Sequence, residues 1–219
     1  MQKIFPKKRF YMKSKYPDVS IIITNYNYAD YLPRCIRSCL AQKNVNVEVI
    51  IVDDCSSDHS LEVIGAYKED IKIIKNKTNV GVAESSNKGI KAAKGQFVIR
   101  VDADDYVSSD MCHIMKRYLE ANHDAFCLSC DYVLVDRHEN IIERKYAEKD
   151  NISCGIMYRR DLLLQMGGYN SNMRHREEEE LRKRLDEFYK IHHLRIPFYR
   201  YRMHKNNKTK DPEYKEWRI

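Results

Sequence analysis

Three apolar runs of strand length, Val19 to Thr24, Val47 to Val52 and Phe97 to Val101, constrain this chain more than any other feature. None alternates strictly, and each stops abruptly on amide or acidic residues. Such runs suit parallel strands covered on both faces. Between them lie helical patterns. The first, with Leu32, Cys35, Ile36, Cys39 and Leu40, is predicted from an Asp30 cap to about Gln42, with Pro33 tolerated in its first turn. The second surrounds Leu61 and Ile64, with Asp58 as its cap. The third runs from about Val82 to Ala93 and closes at Gly95. With a short strand at Ile71 to Ile74, strand and helix alternate throughout the first half. The expectation is an α/β fold with a Rossmann-like, mainly parallel central sheet, helices on both faces and right-handed crossovers.

Beyond Asp105 the pattern changes to a helix near 109–121 and two strand-like stretches, 125–135 and 141–146, on either side of a turn at Asp136 to Asn140. A short helix from about Asp161, a Gly167-Gly168-Tyr169 turn and a strongly charged helix from about Arg176 to Tyr189 follow. A last segment, Ile191 to Tyr201, contains Pro197, which marks a break or an edge strand. At 219 residues the chain has the length of one well-buried domain, and the second half reads as its continuation.

Open α/β sheets bind ligands outside the carboxyl ends of their strands. Here those ends carry Asn25 and Tyr26, then Asp53 and Asp54, then Asp102, Asp104 and Asp105. Carboxylates crowded at a strand end repel one another unless a positive charge joins them, and a hard divalent cation, Mn2+ or Mg2+, is the natural candidate. For Asp53 and Asp54 the alternative is a plain helix cap. The sequence has neither GxGxxG nor GxxxxGK[ST], which disfavours a dinucleotide site and a P-loop NTPase.

The formal charge of +7 admits phosphate-bearing small molecules, an anionic membrane surface or nucleic acid. The acidic ligand edge argues against nucleic acid. Residues 1–17 form a basic leader with interleaved aromatics, read as a solvated tail, with weak peripheral membrane contact as the alternative. The leader has no signal-peptide pattern and no apolar run approaches the ~20 residues of a membrane span, so a cytoplasmic location is expected. Seven cysteines argue against a disulfide framework. Cys35 and Cys39 read as core residues, and Cys127 with Cys130 lacks the second ligand pair of a zinc site.

Taken together, VSIIITNYNYADYL, IIVDDCSSD, NVGVAESSNKGIKAAKG, VDADD, GGY, REEEEL and YRYRMH resemble the family 2 glycosyltransferases, inverting enzymes of the GT-A fold that use nucleotide sugars. The resemblance implies a single GT-A domain at 18–205, with a nucleotide-binding half at about 18–105, an acceptor half at about 106–205 and a polar tail at 206–219. It places Asn25, Tyr26 and Asp54 around the nucleotide base. Asn79, Gly81 and Asn87 would line the nucleotide pocket. Asp102 would contact ribose or metal, and Asp104 would be the principal metal ligand. Asp105 would support it or serve as an alternative ligand, and His204 would add a metal or pyrophosphate contact.

The family's catalytic base comes from an acidic pair at the start of the helix after GGY, here replaced within Glu177 to Glu180. Aligning Leu181 and Leu185 puts Glu178 at the base position, with Glu177 as runner-up; the alternative is a solvated acidic helix start. The implied reaction moves a sugar from a nucleotide donor, UDP-linked by expectation, to a glycan or lipid-linked acceptor hydroxyl in surface polysaccharide or glycoconjugate synthesis. The competing readings are a nucleotidyltransferase and a degenerate module that binds nucleotide or scaffolds without chemistry.

Overall fold

The three apolar runs form adjacent parallel strands, β1 (Val19–Asn25), β2 (Val47–Asp53) and β4 (Phe97–Asp102), with β3 (Lys72–Lys75) beyond β2, giving the order β3-β2-β1-β4. The computed structural model describes residues 16–173, 176–205 and 207. Apart from Tyr16, Pro17 and Asn207, the leader and tail expected from the sequence lie outside these. Register decides what the sheet can do. Asn25 pairs with Asp53, and Thr24 pairs with Asp102, so the polar strand ends align along one edge.

Both faces of these strands are covered. Helices α1 (Leu32–Leu40), α2 (Ser60–Gly65) and α4 (Met111–Ala121) pack on the face that carries Ile21, Ile23, Val49 and Ile51. Helices α3 (Val82–Ala92), α5 (Arg160–Gln165) and α6 (Glu177–Asp186) pack on the opposite face, against Ile22, Ile50 and Val98. This explains the unalternating pattern: Ile21, Ile22 and Ile23 are each at most 2% exposed although they point to alternate faces. Burying each contributes roughly 1.5–3 kcal/mol.

The sheet continues past β4 with β8 (Ile156–Arg159) antiparallel to it, then β6 (Cys127–Val135), β9 (His192–Arg202) and β5 (Tyr106–Val107). β9 runs parallel to β6, while β7 (Ile141–Lys145) forms a hairpin with β6. The first half of the sheet is thus parallel and the second half mixed. No helix among the described residues is long and apolar enough to cross a membrane.

Two local expectations are corrected and a third is decided between its alternatives. Asp30 does not cap α1: the N-cap is Tyr31, without a side-chain bond, and the Asp30 carboxylate is solvent-exposed. Nor is Asp58 the cap of α2, whose N-cap is His59; from one residue earlier it accepts from Ala29 N at 3.0 Å and from Ser60 N at 3.0 Å, so one carboxylate ties the loop before α1 to the first residue of α2. Of its two expected roles Pro197 marks the break: β9 lies between β6 and β5, and Pro197 sits opposite Asp131 where the β6–β9 register slips. A bulge accommodates a residue without an N–H as well as an edge does. Cys127 and Cys130 join different hydrophobic clusters on opposite faces of the sheet and cannot share a metal.

Candidate active site

The site begins where β4 ends. Asp105 N donates to the Asp102 carbonyl at 3.0 Å, closing a turn that presents Asp102, Ala103 and Asp104. β9 clamps this turn from behind. The buried Tyr199 hydroxyl donates to Asp105 Oδ2 at 2.8 Å and accepts from Asp102 N at 3.1 Å. Arg202 N donates to Asp105 Oδ1 at 2.8 Å, and Arg202 Nε to the Asp104 carbonyl at 2.9 Å. Both oxygens of Asp105 are therefore engaged inside the protein, and burial, followed by the charges of Asp104 and Asp102, pushes its carboxyl well above the usual range. Asp104, though buried, lines the cavity, with one carboxylate oxygen 2.8 Å from His204 Nε2. The His204 ring is stacked on Tyr31, centroids 4.6 Å apart, and meets the edge of Tyr28. His204 is thus held beside the acid by aromatic contacts on two sides.

At the ends of β1 and β2, Asn25 Nδ2 donates to Asp53 Oδ1 at 2.8 Å and to Ser56 Oγ at 3.1 Å, while its buried Oδ1 has no hydrogen-bond partner among the described residues. Asp54 Oδ1 accepts from Asn76 Nδ2 and Val80 N, and Oδ2 from Gly81 N, all at 2.8 Å. Gly81 precedes α3 at φ +89°, a conformation open to glycine, so Asp54 and Gly81 together fix the loop that enters this helix. Asn87 is buried away from this space. Its Nδ2 donates to the Tyr169 carbonyl at 2.7 Å and its Oδ1 accepts from Tyr169 N at 2.9 Å, clamping the Gly167-Gly168-Tyr169 turn onto α3. Asn79 is exposed, and neither Asn79 nor Asn87 is on the cavity wall.

The acidic helix approaches from the other half of the fold. Arg176, at φ +57°, turns the chain into α6, whose first two residues are both buried. Glu177 Oε1 accepts from Arg100 Nη1 at 2.8 Å, and Arg100 Nε lies 3.2 Å from Asp102 Oδ1. Glu178 pairs with Arg182 one turn along the helix, and Arg182 Nη1 also donates to Asn151 Oδ1 at 3.0 Å. Burial opposes the charge on Arg100, but Asp102 and Glu177 outweigh it and hold the guanidinium firmly protonated. Arg100 and Tyr199 were missed in the sequence. A cation inside the run Phe-Val-Ile-Arg-Val was the available signal for the first; Tyr199 looks like any core aromatic.

Asn25, Tyr26, Asp54, Arg100, Asp102, Asp104, Glu177 and Glu178 line a single cavity of ≈ 580 Å³. Its wall continues over Tyr132, Leu134, Ile152 and Tyr201 at the far end of the sheet. The donor set at its centre suits a hard cation: carboxylates at Asp102 and Asp104 on one turn, with an imidazole beside Asp104. Among the described residues, however, the ligand atoms that lie within 4.8 Å of one another are those of Asp102, Asp105 and Cys154, not those of Asp102, Asp104 and His204. Burial, then the neighbouring acids, keeps the Cys154 thiol protonated, so it is a poor ligand for Mg2+ or Mn2+.

This arrangement has relatives. Succinoglycan biosynthesis protein ExoO of Rhizobium meliloti (strain 1021) is 40% identical over 97 residues, 44% of this chain and 28% of that protein. S. aureus TarS, solved in complex with UDP-GlcNAc, superposes with a TM-score of 0.74 at 21% identity, over 87% of this chain and 60% of the solved one. Mannosyltransferase PcManGT from Pyrobaculum calidifontis, solved with GDP-Man and Mn2+, gives a TM-score of 0.69 at 17% identity, over 89% and 59%. The chain thus spans 28% of the curated relative and about three fifths of each solved chain. The model of glycosyl transferase family 2 matches residues 20–208, from β1 through the acidic turn, α6 and β9, and with the fold and the converging carboxylates on the same stretch, the chain belongs to that family.

Proposed function

We propose that this protein transfers a sugar, with inversion, from a UDP-linked donor to the hydroxyl of a glycan or lipid-linked acceptor in polysaccharide or glycoconjugate synthesis. The observation that carries this reading is the convergence of two acidic sets, Asp102 with Asp104 from β4 and Glu177 with Glu178 from α6, on one cavity. The first faces the aligned strand ends where a nucleotide fits. The second lies in the half of the fold that would receive the acceptor. TarS with UDP-GlcNAc supports the donor class, PcManGT with Mn2+ supports the metal, and ExoO supports the biosynthetic setting.

In this reading Asn25 and Tyr26 meet the base. Asp54 shapes the base pocket through its loop, with acceptor capacity left for a base N–H. Asp104 and Asp102 would hold Mn2+ or Mg2+, with His204 beside Asp104 and Asp105 fixing the turn. The bound cation would neutralise charge building on the departing diphosphate. The acceptor oxygen bonds to the anomeric carbon as the bond to the diphosphate oxygen breaks on the opposite face, and Glu178 takes the hydroxyl proton.

Removing a general base costs roughly 10²–10⁴-fold. Glu178→Gln is therefore expected to lower turnover by that factor and leave UDP affinity unchanged, while Asp104→Ala is expected to abolish metal-dependent UDP binding. Full activity of Asp104→Ala in EDTA would refute the metal assignment, and a fast Glu178→Gln enzyme would move the base elsewhere. A wild-type protein that binds UDP but turns over no sugar nucleotide would favour the degenerate-module reading.

A further inference from the structure

The position of Arg100 calls for a physical reason. It sits in the central strand β4, opposite Ile22 of β1, on the face where Val98 packs among aliphatic residues. It is 5% exposed. A buried ion pair contributes little net stability, and a well-packed apolar residue of similar size commonly does as well or better. Stability alone therefore does not account for a guanidinium here.

Its contacts do. Nε lies 3.2 Å from Asp102 Oδ1, Nη1 donates to Glu177 Oε1 at 2.8 Å, and the guanidinium carbon lies 5.4 Å from the centre of the Tyr169 ring. The three partners belong to the acidic turn after β4, the first residue of α6, and the glycine turn that Asn87 clamps to α3. One planar fork therefore joins the donor side of the cavity to the helix that carries Glu178. Arginine suits this task because its planar guanidinium meets two carboxylates at once, here Glu177 by a hydrogen bond and Asp102 by an ion pair without hydrogen-bond geometry; lysine supplies the charge without the fork.

We propose that Arg100 is a positioning residue: by bridging Asp102 and Glu177 it sets the spacing between the donor-side carboxylates and the first turn of α6, and so the placement of Glu178. This rests on the transfer reading and deepens it. Glu177 then serves as the anchor of α6, and Glu178 remains the base.

The test is a cycle of Arg100→Lys, Glu177→Gln and the double variant, chosen because Lys keeps the buried charge and Gln keeps an acceptor. Three quantities are measured: UDP affinity with Mn2+ by calorimetry, kcat and KM for UDP release from a sugar nucleotide that the wild type turns over, and hydrogen exchange of the α6 amides without ligand. A misplacement near 1 Å can cost about 10²-fold in rate. Each single variant is expected to lose on the order of 10²-fold in kcat with KM and UDP affinity unchanged, and α6 is expected to exchange faster. The double variant is expected to be no slower than the worse single, because both remove the same bridge.

Multiplicative losses in the double variant would overturn the proposal. So would a kcat loss in Glu177→Gln with α6 protection intact, which would make Glu177 itself the base. A large drop in UDP affinity confined to Arg100→Lys would also overturn it, pointing to a direct diphosphate contact. If the wild type turns over no sugar nucleotide, the transfer reading fails, and the exchange measurement still decides the bridge: α6 protection unchanged in both single variants would refute it.

Discussion

Tyr199→Phe isolates what holds the acidic turn in place. The change removes one oxygen from a side chain with no solvent exposure and leaves the ring, so no cavity of consequence forms. Two interactions disappear: the hydroxyl's donation to Asp105 Oδ2 at 2.8 Å and its acceptance from Asp102 N at 3.1 Å. A hydrogen bond between neutral groups contributes roughly 0.5–1.5 kcal/mol, the case for an Asp105 carboxyl raised well above the usual range, and an orphaned buried N–H costs roughly 1–3 kcal/mol. Together the loss should be about 1.5–4.5 kcal/mol. For a chain of this length that lowers Tm by roughly 3–18 °C. Urea denaturation should show a lower midpoint with an unchanged slope, because the surface exposed on unfolding is the same. UDP affinity with Mn2+ should fall as well, since Asp102 and Asp104 lose the backing that sets their turn. A loss below about 1 kcal/mol with unchanged affinity would refute the clamp and show that Arg202 alone holds the turn.

Asn87→Ala should lose about 2–4 kcal/mol by stranding the buried N–H and C=O of Tyr169, while UDP affinity stays at the wild-type value; weakened UDP binding at unchanged stability would put Asn87 on the donor pocket after all. Gly95→Ala should destabilise by roughly 1–3 kcal/mol, because the new Cβ would stand 2.7 Å from Ser20 N; a neutral effect in urea would mean that β1 yields there. The Asp105 carboxyl is raised in the fold, so in metal-free protein its contribution to stability is complete below the ordinary carboxylate pKa and is lost as pH rises through the folded value. The difference in urea stability between wild type and Asp105→Asn should therefore shift in favour of the variant as pH rises from 4 toward 8, and parallel profiles would refute the raised carboxyl.

The parallel half of the fold was legible because β1, β2 and β4 are buried on both faces and therefore read as continuous apolar runs ending at a shared polar edge. The acids of the turn after β4 were legible for the same reason: a strand end cannot place Asp102, Asp104 and Asp105 together without consequence. The insertion of β8 between β4 and β6 was not legible, since its four residues pair antiparallel with strands distant in sequence. Local pattern also could not separate residues that bind a ligand from residues that build the pocket. Asp54 and Asn87 carry the same polar chemistry in either role, and only the fold shows Asp54 closing the loop before α3 and Asn87 clamping Tyr169. Asp30 and Asp58 illustrate the same point. Both suit a cap, and the fold brings Asp58 within bonding distance of the loop before α1 and of the first residue of α2, while Asp30 stays in solvent. The division between Glu177 and Glu178 became readable only once Arg100 and Arg182 were seen as their separate partners.

The most direct test of the central claim is calorimetric titration of UDP into the wild-type protein and Asp104→Ala, each with Mn2+ and with EDTA. Binding is expected for the wild type in Mn2+ and in none of the other three conditions. Equal UDP binding in Mn2+ and EDTA, or undiminished binding by Asp104→Ala, would contradict a donor site built on the acidic turn after β4.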